Sequence, residues 1–146
     1  MVKKEDLTFE DANIDDIREY LFDIGDSNAL AMVSGEIPDF RHFFWILKAN
    51  ERIGFYEYHF SEERDEALFN GIYLEDIDQL PDDFVDDLIM ICFEDASSKA
   101  KESGAKGIII NTIRENIAKM IMTDKKGNFL SSSFRKILMD KSDERD

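Results

Sequence analysis

The chain has 146 residues, 43% of them hydrophobic, with twelve Phe, four Tyr and one Trp. This supports one domain with a real core, is too short for two, and excludes a disordered chain. A formal net charge of −15 excludes nonspecific nucleic-acid binding, because phosphate is repelled.

In chain order, Leu7-Thr8-Phe9 starts a short strand. Asn13 reads as an N-cap, followed by Ile14, Ile17, Leu21 and Ile24 on one helical face, and Gly25 ends the helix. Ser27 to Val33 predicts a second, shorter helix, broken by Gly35 and Pro38. Three strands are predicted next: His42 to Lys48, Ile53 to Phe60 after a turn over Ala49-Asn50-Glu51-Arg52, and Ala67 to Leu74 after a polar loop. They read as an antiparallel meander.

From Pro81 the period becomes helical. Phe84, Leu88 and Cys92 make one stripe, and Val85, Ile89, Phe93, Ala96 and Ala100 an adjacent one. Pro81 suits the first helical position, Lys99 and Lys101 the carboxyl end, and Gly104 the position just past it. Lys106 to Thr112 reads as a buried strand around Ile108-Ile109-Ile110. Thr112-Ile113-Arg114-Glu115 has capping-box spacing and opens a helix that closes near Gly127. Phe129 to Met139 supplies a last strand or strand pair. One domain over residues 1–140 and a charged, disordered tail over residues 141–146 are expected.

Cys92 has no partner for an internal disulfide, and its apolar helical setting fits a core residue in a reducing compartment. Met1 to Asp6 lead to no apolar signal segment and no stretch is long enough to span a bilayer, so a cytoplasmic location is expected. His42 and His59 are the only histidines and no Cys or His cluster surrounds them, so no metal site is expected.

The order of strand, two helices, three antiparallel strands, long helix, buried strand, helix and strand resembles the GNAT (Gcn5-related N-acetyltransferase) superfamily. Asn50-Glu51-Arg52-Ile53-Gly54-Phe55 looks like its turn between strands two and three, and Ala67 to Leu74 like its fourth strand. Lys101 to Ile108 resembles the end of its third helix leading into strand five. Asn116, followed by Gly127 and Phe129, resembles its Asn…Gly-Phe signature. The resemblance covers residues 7–139 and implies an α/β fold with a mixed, mostly antiparallel sheet flanked by helices. It also implies acetyl-CoA as cofactor, held by the fourth strand near Tyr73 and Leu74 and by Asn116, if the family activity is retained.

The chain departs from that family where the cofactor's pyrophosphate is held. The family's Arg/Gln-x-x-Gly-x-Gly/Ala loop opens its long helix, and glycine there lets the backbone approach the phosphates. Here the segment is Leu80 to Leu88, with Phe84 at the Arg/Gln position and Asp87 and Ile89 at the glycines; residues 72–103 contain no Gly. Between Arg64 and Lys99 lie eleven Asp or Glu and no Lys or Arg. One carboxylate about 6 Å from a phosphate charge opposes it by roughly 0.7 kcal/mol in water and roughly 3 kcal/mol at an effective dielectric near 20. The family's catalytic Tyr, seven residues after the Asn, is replaced by Thr123, whose hydroxyl is a poorer proton donor than a phenol.

Glu57 and His59 alternate on one face of the third predicted strand. A general base for an amine fits there, and a solvated strand face gives the same pattern. Glu75, just past the fourth strand, is the other candidate base. Tyr56, Tyr58 and Tyr73 either line a cleft or fill the core. Three functions are compatible with these residues. The first is a CoA-defective acetyltransferase homologue serving as a protein-binding module, with a partner of basic character. The second is an active acetyl-CoA-dependent N-acetyltransferase with an atypical cofactor loop. The third is an acidic nucleic-acid mimic bound to a basic protein.

Overall fold

A computed structural model of the chain describes residues 2–110. After a 3-10 turn at Lys4–Asp6 come β1 (Leu7–Asp11), α1 (Ile14–Ile24), α2 (Ser27–Met32), β2 (Arg41–Lys48), β3 (Glu51–His59) and β4 (Glu66–Leu74). A second 3-10 turn at Ile77–Gln79 leads to α3 (Asp82–Glu102) and β5 (Gly107–Ile110). Among the described residues the strands form one sheet in the order β1-β2-β3-β4-β5. It is antiparallel except for the parallel β4–β5 pair, so it is the mixed, helix-flanked sheet expected from the sequence.

The helix ends follow local chemistry. The Asn13 side chain accepts the Asp15 N–H at 2.7 Å, and Gly25 closes α1 in the left-handed region at φ 76°. Asp26 then caps α2 by accepting the Ala29 N–H at 3.0 Å. Pro81 sits at the N-cap of α3, not at its first helical position: its ψ of 141° is extended, and its carbonyl accepts the first helical N–H, from Val85.

Both faces of the sheet are covered, which explains the unbroken buried runs Phe43–Leu47 and Gly54–Tyr58. Phe43, Trp45, Leu47 and Phe55 pack with Ile17 and Leu21 of α1. Phe44, Ile46, Tyr56 and Phe69 face the other way, onto Leu88, Cys92, Phe93 and Ala96 of α3. Tyr56 and Tyr58 are therefore core residues. The Tyr56 hydroxyl donates to Asp95 Oδ2 at 2.5 Å, and Lys99 Nζ donates to the same oxygen at 2.5 Å while lying 4.7 Å from the Phe44 ring centre. This joins β3 to α3 through a satisfied polar network. Burial pushes the Cys92 thiol pKa up, consistent with a structural residue.

The β2–β3 connection is tighter than the predicted four-residue turn. Ala49 and Asn50 alone form it, at φ 52° and 67°, while Glu51 and Arg52 already pair as strand. Two consecutive positive φ angles match a hairpin turn whose twist suits the flanking strands. Two bulges follow. Ile46 pairs with Gly54 but Leu47 with Arg52, so Ile53 is an extra residue in β3. Glu57 pairs with Gly71 but Tyr58 with Phe69, so Asn70 is an extra residue in β4.

Several sequence expectations lie outside the described residues. These are Asn116, Thr123, the helix closing near Gly127, the Phe129 to Met139 strand, and the tail over residues 141–146. Among the described residues no helix is long and apolar enough to cross a membrane.

Candidate functional site

The two bulges bring a polar cluster together on the α1–α2 face of the sheet. Opposite residues in an antiparallel pair share a face. With Ile53 bulged, Arg41 pairs with His59 and Phe43 with Glu57, which puts Arg41, Glu57 and His59 on one side. Arg41 Nε donates to Glu57 Oε2 at 2.5 Å and Nη2 donates to Oε1 at 2.9 Å, a two-point grip that matches the carboxylate. His59 Nε2 lies 2.6 Å from Oε2, and the Asn70 amide donates to Oε1 at 3.2 Å.

Glu57 is only 7% exposed, so the expectation of a solvated strand face is corrected. The reason is coverage of this face by α1 and α2, which turns an apparently alternating pattern into a buried one. Burial pushes the Glu57 pKa up, but hydrogen bonds from Arg41 and then His59, together with their charges, outweigh it and hold the carboxyl below its ordinary value. The same contact holds the Arg41 pKa above its ordinary value. A carboxylate held this way is a weak proton acceptor.

A pocket of about 140 Å³ lies against this cluster. Ala29, Met32 and Val33 form its helical wall, and Phe55, Ile72 and Tyr73 its sheet wall. Arg41, Glu57, Asn70 and Gly71 close one end. Gly71 takes φ 131°, where L side chains rarely go, as the bulge demands. Tyr73 stacks on Phe55 with ring centres 5.1 Å apart, and its hydroxyl donates to Asp26 Oδ2 at 2.7 Å. Burial, then that contact with Asp26, pushes the Tyr73 pKa well up.

The other sequence candidates do not meet here. Leu74 is buried on the opposite face, in the α3-side core. Glu75 is exposed and lines a different pocket, of about 490 Å³, with Lys48, Arg52, Leu80 and Phe84. Arg41, Asp26 and Asn70 were not foreseen. A signal for Arg41 existed in the hairpin register, but only a bulge-shifted register puts it on the face of Glu57.

At the start of α3 the residues do not fit a CoA pyrophosphate. Pro81 offers no N–H, the exposed Asp82 and Asp83 carry the same sign of charge as a phosphate, and Asp86 is buried one turn on. The described pairing of β4 with β5 ends at Phe69–Ile110, one residue before the Asn70 bulge.

No protein-family model matches the chain, and no curated protein sequence matches it. Solved structures do. One is an aminoglycoside acetyltransferase from an uncultured soil metagenomic sample, in complex with sisomicin. It is 13% identical, with 85% of this chain and 90% of that chain covered and a TM-score of 0.51. Another is an IAA acetyltransferase from Bacillus cereus ATCC 14579, 14% identical over 83% of this chain and 75% of that chain, with a TM-score of 0.52. The likeness is one of fold. The chain has the fold of the GNAT acetyltransferases.

Proposed function

We propose that this is an acetyltransferase-fold protein that has lost ordinary acetyl-CoA binding and acts by binding, not by acetyl transfer. The carrying observation is the opening of α3, where a proline N-cap and two exposed aspartates occupy the helix end that would meet the pyrophosphate. Helix amino ends hold anions through open N–H groups and partial positive charge; here Pro81 has no N–H to offer, and Asp82 and Asp83 offset the positive charge. The grip of Arg41 on Glu57 supports the same reading, because it weakens the best-placed base. With a net charge of −15, a protein partner with a basic surface suits the chain.

The assay incubates the protein with acetyl-CoA and a panel of primary amines and follows release of the CoA thiol. Release at the uncatalysed rate is expected; multiple turnovers overturn the reading. A second reading, an active N-acetyltransferase, is favoured by one feature: Glu57 sits opposite the β4 bulge at the end of a pocket. It requires turnover that Glu57→Gln abolishes.

A further inference from the structure

The pocket against the Asn70 bulge has a size and a charge balance that specify a ligand class. Its volume of about 140 Å³ matches apolar cavities of about 150 Å³ that take up benzene. Its two walls are apolar, with the stacked Phe55–Tyr73 pair on one side and Ala29, Met32 and Val33 on the other. Only one end is polar, and there the Glu57 carboxylate already faces the Arg41 guanidinium at 2.5 and 2.9 Å. The charges of that pair offset each other. A cation or anion entering would give up hydration without meeting an uncompensated opposite charge. A neutral donor loses little: each Glu57 oxygen already accepts two hydrogen bonds, and the side-chain carbonyl of Asn70, whose amide donates to Glu57, is the acceptor that remains at this end.

We propose that this pocket binds a small, uncharged, single-ring ligand bearing one hydroxyl or N–H donor, a phenol-like molecule. Its ring lies along the apolar walls and its donor faces the Glu57–Asn70 end. This goes beyond the loss of acetyl-CoA binding and holds whether or not that cofactor binds.

The test titrates the full chain with phenol, benzylamine and benzoate, reading heteronuclear NMR shifts. Phenol is expected to saturate with a Kd on the order of 1 mM, and the two charged rings to bind at least about tenfold more weakly. Ala29→Phe, which fills the pocket, is expected to weaken phenol about tenfold. Met32→Trp narrows the rim at a position that is 73% exposed, and so repeats the test in a variant whose folding is not at stake. The proposal is overturned if phenol does not saturate, or if benzylammonium or benzoate binds as well as phenol. It is equally overturned if phenol binding is unchanged in Met32→Trp and in folded Ala29→Phe.

Discussion

Replacing Arg41 by Met isolates the energetics of the buried cluster. The Arg41 and Glu57 side chains are 17% and 9% exposed, so the pair is mostly out of water. Removing one partner of a fully buried ion pair costs about 3–5 kcal/mol, because the other charge is left uncompensated. Two features lower that figure here: part of Arg41 reaches solvent, and His59 still lies 2.6 Å from the carboxylate. Arg41→Met should therefore cost about 2–3 kcal/mol. With a urea slope of about 1–3 kcal/mol/M, the unfolding midpoint should fall by roughly 0.7–3 M. The double variant Arg41→Met with Glu57→Leu removes both charges and should recover to within about 1 kcal/mol of the parent. If the single variant loses less than about 0.5 kcal/mol, or the double variant is no more stable than the single, the cluster is not the desolvated pair described above.

The same carboxylate sets an acid dependence. Its native pKa lies below the unfolded value near 4.3, so its stabilising contribution is complete above that value and is lost as pH falls through the native one. Urea midpoints measured downward from about pH 5 should fall more steeply for the parent than for Glu57→Gln, and parallel curves would contradict the assignment. Two glycines should behave differently. A Cβ on Gly54 would stand 2.0 Å from the Tyr73 carbonyl oxygen in the paired strand, so Gly54→Ala should cost at least about 3 kcal/mol by urea unfolding. Gly25→Ala meets no atom and suffers only from φ 76°, about 1–2 kcal/mol. Equal losses would argue against the β3–β4 register.

Much of the fold was legible because local and global signals agree. Asn13, Gly25 and the Val85–Ala100 stripe mark helices by chemistry that tertiary packing does not override. The aromatic runs of β2 and β3 read correctly as strands, and the structure adds that both faces are buried. What sequence could not supply was the register. A direct count across the Ala49-Asn50 turn pairs Arg41 with Tyr58 and turns it away from Glu57; the Ile53 bulge moves it by one residue onto Glu57's face. The Asn70 bulge likewise has no signal beyond a neighbouring glycine. The candidate site thus rests on two single-residue irregularities, and Glu57 looked like an exposed base when it is a buried ion-pair partner. The acidic opening of α3, by contrast, was plain in the sequence, since it depends on residue identity at a helix end and not on pairing.

The claim that acetyl-CoA binding has been lost at that helix end is tested most directly by calorimetric titration of acetyl-CoA into the purified protein. The ligand should reach about millimolar concentration, at both low and physiological salt. The geometry of Pro81, Asp82 and Asp83 predicts no saturable heat at either salt. A Kd on the order of 1 μM would contradict it.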